Sequence, residues 1–329
     1  MKDRIVYVEN NFLDPYQSFG LEYYLTAEKT FDDSTVLLFW RTEPTLMVGR
    51  YQNTYSEINT EYADQKGINI VRRMSGGGTI YTDLGGWQYS FITRTDKNEI
   101  SFAEYIAPVI DALQTVGVKA EFNGRNDLVI NGKKFSGTDQ YMHNGFTVHH
   151  GSLLYDTDLE ELVKSTTVDE YKILSKGIKS VRDRVTNISE HMEAPVSAEE
   201  FRELIVKHLI GDDGIRYNLT QYDMERIDYY AREKFDNWES KFGKNPPFNV
   251  VKTGHFEGGN IEMKLDVAKG RIVNADIYGD FFGNIDKSAI EKALKGCEYD
   301  SDSVRKRLKD NDFDSCIYRI TAEDIADMF

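Results

Sequence analysis

Three consecutive glycines stand beside two arginines in the stretch RRMSGGGTIY, residues 72–81. Glycine loses more conformational freedom on folding than any other residue, so such a run is favoured where another group must approach the main chain closely. Free backbone amides can bind a phosphate or carboxylate, and arginine adds charge-assisted hydrogen bonds to the same group. The stretch matches neither GxxxxGK[ST] nor GxGxxG, the two common nucleotide-binding patterns. It therefore predicts an anion-binding loop of another kind, with a flexible loop as the alternative.

The charge balance limits where an anion can bind. The chain has 55 acidic and 40 basic residues, a formal charge of -15, which disfavours a broad nucleic-acid-binding surface. The N-terminal residues MKDRIVYVENNF lack the apolar core of a signal peptide, and the apolar run at 36–40 is too short to span a membrane. The two cysteines form no CxxC pattern and fit a reducing compartment. We expect a soluble cytoplasmic protein that binds neither nucleic acid nor membrane.

The length and the hydrophobic fraction predict two domains. The chain has 329 residues, of which 40% are hydrophobic, and the stretch FGKNPP at 242–247 holds two of its six prolines. We place the boundary there, with domains at 1–246 and 247–329. Strand and helix signals mix in the first domain, and residues 79–81 and 88–93 are predicted to pair around a turn at 83–86. Apolar spacing predicts helices at 198–210 and 224–235. The second domain is predicted to be a small α+β unit, with a capping box at Thr321 and Asp324 before its last short helix.

The segment GRNDLVINGKKFSG, residues 124–137, combines oxygen donors with lysines. Asn131-Gly132 predicts a type I′ hairpin turn. Asn126 and Asp127 are suited to a magnesium ion that keeps several waters and also contacts phosphates, although Asn-Asp is more common in turns. Lys133 and Lys134 are adjacent on a predicted strand and must face opposite sides, so at most one enters a pocket. There it could bridge an α-phosphate and an acyl oxygen, while a solvated strand edge remains the alternative.

Two further segments are chemically unusual. The stretch YKILSKGIKSVRDRV, residues 171–185, has five basic residues and one acidic residue, which fits a surface patch or an anion contact equally well. His149 and His150 are adjacent on a predicted strand. Their side chains must point apart, so this pair is not expected to bind a metal ion.

Four segments in this order resemble the lipoate-protein ligase family, whose catalytic domain is related to biotin protein ligases. They read RRMSGGGTIYTDLG, GRNDLVINGKKFSG, FTVHHGSLLYDTDL and KGIKSVRDRVTNI. FGKNPPFN and IEMKLDVAKGRIVNADIYGD are similar to the small C-terminal accessory domain of that family, so the resemblance covers nearly the whole chain. It implies an α+β fold, with helices around a mixed or antiparallel sheet in the catalytic domain and a small α+β domain after it.

The resemblance also implies an activity. Such ligases activate free lipoate with ATP and Mg²⁺ to lipoyl-AMP and transfer the lipoyl group to a lysine of lipoyl domains, as in E2 subunits of 2-oxoacid dehydrogenases and the glycine-cleavage H protein. By the resemblance, Lys134 is catalytic, Asp127 lies near Mg²⁺, and residues 175–184 close over the adenylate. The residues implied to bind the adenylate are Arg73, Ser75, Gly76, Gly77, Gly78, Thr79, Ile80, Tyr81, Asn126, Asp127, Lys134 and Gly137. Met74 departs from relatives, which often have a basic or polar residue there.

Three other activities remain open at this point. An octanoyl or lipoyl transferase with this fold could use a cysteine thioester, but Cys297 and Cys316 both lie in the predicted accessory domain. A transferase could instead receive preformed lipoyl-AMP without making it. A noncatalytic lipoate-binding regulator is the third alternative, and the presence of Asp127 and Lys134 argues against it.

Overall fold

An eight-stranded mixed sheet is the centre of the N-terminal part in the computed structural model, which describes residues 4–95, 99–124, 126–166, 181–242, 250–268, 270–283 and 287–329. The strands of this part are β1 (Ile5–Glu9), β2 (Thr35–Trp40), β3 (Thr45–Val48), β4 (Asn69–Arg72), β5 (Ile80–Thr82), β6 (Gly86–Arg94), β7 (Glu121–Phe122), β8 (Asp127–Ile130), β9 (Lys133–His143), β10 (Phe146–Leu154) and β11 (Ile215–Asn218). The large sheet has the order β11-β1-β2-β6-β10-β9-β8-β7, parallel from β11 to β2 and antiparallel beyond. The fold is α+β, as predicted.

The helices of the N-terminal part cover both faces of this sheet. Those whose bounds lie within the described residues are α1 (Pro15–Ala27), α2 (Thr54–Glu57), α3 (Thr60–Lys66), α4 (Ala103–Thr115), α5 (Leu159–Thr166), α6 (Ala198–Ile210), α7 (Gln221–Tyr230) and α8 (Trp238–Lys241), with a 3-10 turn at Ile188–His191 and a π turn at Ala231–Phe235. The strand β2, TVLLFW, is buried at every position because both faces are covered. Its Leu37 and Phe39 pack towards α4 and α6, whereas Val36, Leu38 and Trp40 pack towards α1 and α7.

A second, smaller sheet lies beside the face that carries α1. Strand β3 pairs in parallel with β4 and antiparallel with β5. The prediction that residues 79–81 and 88–93 pair with each other is therefore wrong. The turn is present, since the Gly86 amide donates to the Asp83 carbonyl at 3.1 Å, but it sends the chain from one sheet into the other. The glycine run enters β5 and is thus fixed to the small sheet.

The predicted hairpin at 128–135 is confirmed. Asn131 and Gly132 have φ angles of 51° and 77°, the positive values that a type I′ turn requires. Strands β8 and β9 pair across it, with a register shift at Leu128/Val129. Asn-Gly therefore fixes which residues of β8 face those of β9, and Asp127 is placed near Lys134 as a result.

The C-terminal part has its own sheet and its own hydrophobic core. Strands β12 (Val250–Phe256), β13 (Gly259–Ala268) and β14 (Arg271–Gly279) form an antiparallel sheet, packed by α9 (Lys287–Leu294), α10 (Ser301–Lys309), a 3-10 turn at Phe313–Ser315 and α11 (Ala322–Ala326). The predicted capping box at Thr321 and Asp324 is present. The predicted division at 246/247 falls within 243–249, outside the described residues, and stays a prediction. Within the described residues, no helix is long and apolar enough to cross a membrane.

Candidate active site

A narrow cavity of about 90 Å³ lies between the large sheet, α1 and the small sheet. One side is apolar, formed by Phe19, Trp40, Met47 and Ile80. The remaining lining is polar or small and consists of Arg73, Gly78, Thr79, Gln88, Asn126, Lys134, Gly137, Asp139, His150, Gly151 and Ser152. A cavity with an apolar wall and a few convergent polar groups is typical of a small-molecule site. We call it the inner cavity.

A second cavity of about 280 Å³ adjoins the inner one. The two share the lining residues Thr79, Ile80, Lys134, Gly137 and Ser152. The second cavity is also lined by Glu57, Tyr81, Ser136, Leu154, Leu162, Thr166 and Val185, and we call it the outer cavity. Lys134 thus lies at the junction of the two, where a molecule occupying both cavities would pass.

The floor of the inner cavity is a buried polar network. Glu22 of α1 is 1% exposed and accepts hydrogen bonds from Ser90 (2.7 Å) and Tyr141 (2.9 Å). Its Oε2 lies 3.3 Å from Nδ1 of His150, whose Nε2 lies 2.6 Å from Oγ of Ser75. Burial opposes the charged form of Glu22, but the nearby His150 and the hydrogen bonds outweigh burial and lower the pKa of Glu22. The network therefore holds His150 in a fixed orientation towards the cavity.

Arg73 connects this floor to the glycine run. Its side chain is almost fully buried, and its Nη2 lies 2.9 Å from Oδ2 of Asp139. It also donates to the carbonyl oxygens of Met47, Gly76 and Gly78. Because the guanidinium is occupied by these acceptors, Arg73 shapes the loop from inside. Arg73 also lines the inner cavity, and its predicted contact with an anion stays a prediction.

Arg72 has a comparable structural role on the other side of the strand. It donates to the carbonyl oxygens of Gly49, Gln52, Ser240 and Lys241, as well as to Oγ1 of Thr54. Burial lowers the pKa of Arg72 to about 10. Both arginines of RRMSGGG therefore bind carbonyl groups of the protein itself.

The three glycines have different surroundings. A β-carbon at Gly76 would overlap the carbonyl oxygen of Phe281, and one at Gly77 would lie 2.6 Å from Oδ1 of Asp139 and 2.9 Å from the Phe282 ring. Gly78 has room, and it lines the inner cavity. Glycine is thus required at 76 by the close approach of the C-terminal part, and at 77 by that approach together with Asp139 and a φ angle of 82°. This reason could not be read from the motif, which suggested only a ligand.

The contact between the two parts involves several independent interactions. The Gly77 amide donates to the Phe281 carbonyl at 3.1 Å, and the Gly279 amide donates to the Tyr51 carbonyl at 2.7 Å. The Phe281 ring stacks on Tyr51 at 4.4 Å, and Phe282 is buried in the main hydrophobic core of the N-terminal part. In this arrangement the Gly77 amide is engaged by the protein.

Among the described residues that line both cavities, the charged one is Lys134. Its side chain is 42% exposed, and its Nζ lies 2.7 Å from Oδ1 of Asp127. The ammonium and the carboxylate carry opposite charges, so at this distance they form an ion pair. A β-carbon at Gly137 would lie 3.3 Å from the same Nζ, so glycine keeps space around the ammonium. The Thr186 amide donates to the Lys134 carbonyl at 2.9 Å and fixes the strand at this residue.

The other predicted site residues have varied positions. Asn126 lines the inner cavity, and its side-chain amide donates to the Thr138 carbonyl at 3.1 Å. Tyr81 lines the outer cavity. Ser75 reaches the site through His150. Most of the basic segment 171–185, together with much of the predicted closing loop, lies outside the described residues.

The two adjacent histidines do point apart, as predicted. His150 faces the inner cavity, whereas His149 is fully buried on the opposite face and stacks on Tyr105 at 4.8 Å. Burial lowers the pKa of His149 well below its usual range, so this ring is neutral. Among the described residues, no group of three or more His, Cys, Asp or Glu side chains could hold a metal ion.

Sequence reasoning missed the floor of the cavity. The floor is formed by Glu22, Asp139 and His150, which are far apart in the chain and come together only in the fold. One signal was available, because Glu22 is three residues from Phe19 and three from Leu25, so the helical spacing places it between two apolar side chains. A charged residue on such a face has to be paired when it is buried.

Comparisons with known proteins agree with this architecture. Residues 14–210 match the lipoyl protein ligase A/B catalytic domain, and residues 245–329 match the bacterial lipoate protein ligase C-terminus. The chain is 38% identical to lipoate-protein ligase LplJ of Bacillus subtilis over 98% of this chain and 99% of the relative. It is also 38% identical to lipoate--protein ligase 1 of Staphylococcus aureus, over 92% of this chain and 93% of the relative.

Solved structures show the same fold. The LipL1 protein of P. falciparum in complex with lipoate aligns with a TM-score of 0.76 and 22% identity, over 93% of this chain and 94% of that one. A lipoate-protein ligase A bound with ATP aligns with a TM-score of 0.61 and 23% identity, over 74% and 99%. Because the family models match most of the chain and close relatives match its full length, the protein belongs to the lipoate-protein ligase family and is a ligase.

Proposed function

We propose that this protein activates free lipoate with ATP to form lipoyl-AMP and then transfers the lipoyl group to a lysine of a lipoyl domain. The observation that carries the proposal is the position of Lys134 at the junction of the inner and outer cavities. Related proteins support the choice of ligands: one was solved with lipoate, one with ATP, and an archaeal bipartite ligase was described with its E2 lipoyl domain.

The lining of the inner cavity suits the acyl chain of lipoate. Its apolar side, with Phe19, Trp40, Met47 and Ile80, would contact the hydrocarbon chain. Its polar floor at His150 gives the site a fixed end. An acyl chain in this cavity would direct its carboxyl group towards Lys134. This residue lies at the mouth of the inner cavity, where the inner cavity meets the outer one. The residues of the predicted adenylate site that line this path are Arg73, Gly78, Thr79, Ile80, Asn126, Lys134 and Gly137.

Adenylation would take place where the cavities meet. A lipoate carboxylate oxygen attacks the α-phosphorus of ATP, and pyrophosphate leaves. The Lys134 ammonium would stabilise the negative charge that develops between the acyl carbonyl and the α-phosphate. In the second step the neutral amine of the acceptor lysine attacks the acyl carbonyl, its proton is lost, and AMP leaves. Lys134 would again stabilise charge, now on the carbonyl oxygen and the departing phosphate.

Magnesium fits this arrangement as an ion bound mainly by phosphates and water. Asp127 offers a carboxylate and Asn126 a side-chain carbonyl oxygen near the junction, and Mg²⁺ is commonly held by one or two protein oxygens together with substrate phosphates. When bound, the ion would neutralise charge on the pyrophosphate that leaves. Asp127 is paired with Lys134 in this structure, so Asp127 would hold the ion beside the phosphate that the Lys134 ammonium contacts.

Cysteine-dependent transfer has less support. Cys297 is 3% exposed, and both Cys297 and Cys316 lie in the C-terminal part. Burial raises the pKa of both thiols, which disfavours the nucleophilic thiolate. Neither cysteine lines the inner or the outer cavity. A transferase that uses preformed lipoyl-AMP is the stronger second candidate, because the same cavities would hold that compound.

One set of reactions separates these possibilities. The purified protein is incubated with lipoate, Mg²⁺ and an apo lipoyl domain, with and without ATP. Mass spectrometry then measures the mass of the domain. We expect lipoylation only with ATP, accompanied by pyrophosphate release. Modification that requires added lipoyl-AMP and does not occur with ATP and lipoate would identify a transferase instead. Binding of lipoate without any modification would identify a noncatalytic regulator.

A further inference from the structure

A π turn follows α7 and occupies residues Ala231–Phe235. The Asp236 amide donates to the Ala231 carbonyl at 2.8 Å, which is the i to i+5 bond of this conformation. Such turns are rare and hold more residues than an α-helical turn. Since Pro and Gly are absent from AREKF, the local sequence offers no obvious cause, and tertiary packing must favour it.

The π turn keeps three buried residues on one face. Ile227, Ala231 and Phe235 are spaced by four, and eight residues of a regular α-helix pass two full turns by about 80°. In a π turn each residue rotates the chain by less than in an α-helix, which removes most of this extra rotation. Phe235 therefore remains on the face that carries Ile227. All three side chains are buried, at 0%, 4% and 3% exposure. The π turn therefore places the Phe235 ring on this face, whereas a continuous α-helix would turn the ring to another side.

The face presented by these residues packs tightly on α1. A β-carbon at Gly20 would lie 2.7 Å from the Ile227 carbonyl oxygen and 3.0 Å from the Ala231 amide nitrogen. Glycine at this position lets the two backbones approach. The neighbouring residue, Phe19, then meets the Phe235 ring at a centroid distance of 5.6 Å.

Phe19 links this packing to the inner cavity. Its ring lines the cavity and contacts Trp40, another lining residue, edge to face at 5.3 Å. Phe235 lies behind Phe19 and does not itself line the cavity. The Phe19 wall is thus supported from outside by a ring that the ligand does not touch.

We propose that Phe235, placed by the π turn, is a positioning residue that sets how long an acyl chain the inner cavity accepts, by holding the Phe19 ring against the ligand space. The inference rests on the proposed function, since it assumes that the inner cavity holds the acyl chain. A smaller residue at 235 leaves space behind Phe19, and the ring can move back into it. The cavity then extends sideways into the space behind Phe19, where the added carbons of a longer chain gain contacts that the native wall denies them.

The test compares straight-chain carboxylic acids of six, eight, ten and twelve carbons in wild type and Phe235→Ala. Pyrophosphate release with ATP gives kcat/KM for each acid, and calorimetry gives each Kd. We expect the ten-carbon to eight-carbon ratio of kcat/KM to rise about ten-fold or more in the variant, because one or two methylenes in an apolar pocket are worth at least that factor. Phe235→Leu, with a smaller change in volume, should shift the ratio in the same direction by less.

Phe201→Ala is the matched control. Phe201 is also fully buried, but it stacks on Tyr155 on the opposite face of the large sheet. The Phe201→Ala variant should lose stability to a similar degree without changing the ten-carbon to eight-carbon ratio of kcat/KM. An unchanged ratio in folded Phe235→Ala, or in Phe235→Leu if the alanine variant does not fold, would overturn the inference. Wild-type protein that neither binds nor activates any of the acids would instead contradict the proposed function, and the inference with it.

Discussion

The floor and the mouth of the inner cavity use opposite electrostatic designs. At the floor, Glu22 and Arg73 are buried, and their charges are met by several fixed partners. At the mouth, Lys134 is 42% exposed, and its ionic partner among the described residues is Asp127, which is 29% exposed. Buried charges need full pairing, whereas an exposed pair contributes little to stability and can exchange partners. The side chains of the floor are therefore held in one arrangement, whereas the Lys134 ammonium at the mouth can exchange Asp127 for a ligand.

The largest effect should come from the mouth. We expect Lys134→Ala to leave the fold intact and to slow lipoyl transfer at least a hundred-fold, about 3 kcal/mol or more of barrier, because it removes the cation that we propose to act at the reacting atoms. Single-turnover transfer to a lipoyl domain measures the rate, and circular dichroism checks the fold. Lys133→Ala is the matched control, since the Lys133 ammonium donates to the Arg182 carbonyl and does not line either cavity. Full activity in Lys134→Ala would remove this residue from the mechanism.

The floor should respond in stability rather than in the chemical step. Glu22→Gln removes a charge that accepts from Ser90 and Tyr141 and faces His150. We expect it to lower the free energy of unfolding by about 2 kcal/mol at pH 7, as for the loss of a buried charged hydrogen-bond acceptor. Urea denaturation gives the value, and exposed Glu225→Gln is the control.

The same variant has a defined pH dependence. Folding lowers the pKa of Glu22 from an ordinary value of 4.5, so its ionised form stabilises the protein above that pH. The contribution is lost as the pH falls through the lower value of the folded state. The difference in unfolding free energy between wild type and Glu22→Gln should therefore shrink as the pH is lowered below about 4.5. A difference that grows on acidification would show that Glu22 is not held as a carboxylate.

A third prediction separates two neighbouring glycines. Gly76→Ala places a methyl group against the Phe281 carbonyl and should weaken the contact with the C-terminal part, at a cost of about 1–3 kcal/mol. Gly78→Ala finds no atom closer than 4.0 Å and should leave stability nearly unchanged while weakening lipoate binding at the cavity wall. Hydrogen exchange at residues 279–283 and calorimetry with lipoate distinguish the two. Equal effects of both variants on lipoate affinity would contradict the division of roles within the glycine run.

The smallest effect is expected at the cysteines. Cys316→Ser should retain wild-type transfer activity, because this residue lines neither cavity. Cys297→Ala should do the same after allowance for a modest loss of stability from its buried position. Transfer rates with lipoate and ATP measure both. Loss of transfer in either variant, with normal adenylate formation, would revive the thioester mechanism.

Local sequence patterns predicted the elements whose causes are themselves local. The Asn131-Gly132 turn, the capping box at Thr321 and helix α6 at 198–210 were all predicted with their bounds or geometry. The pairing of residues 79–81 was wrong, because a tight turn was taken to join strands of one sheet. Which sheet a strand enters depends on distant partners, here β3.

The candidate site shows the same division. Lys134, Asn126 and Gly78 stand in continuous motifs, and the structure brings them to one cavity. The roles of Gly76 and Gly77 were invisible, because they depend on Phe281 and Phe282, some 200 residues further along the chain. The π turn was likewise hidden, since residues 224–235 predicted a single regular helix. Long-range packing thus decides what a local motif is for.

A structure of the protein with a hydrolysis-resistant analogue of lipoyl-AMP tests the central claim most directly. We predict that the acyl chain lies between Phe19, Trp40 and Met47, that the adenylate enters the outer cavity, and that Nζ of Lys134 contacts both the acyl carbonyl and phosphate oxygens. An analogue bound away from the junction of the two cavities, or with Lys134 still paired only to Asp127, would contradict it.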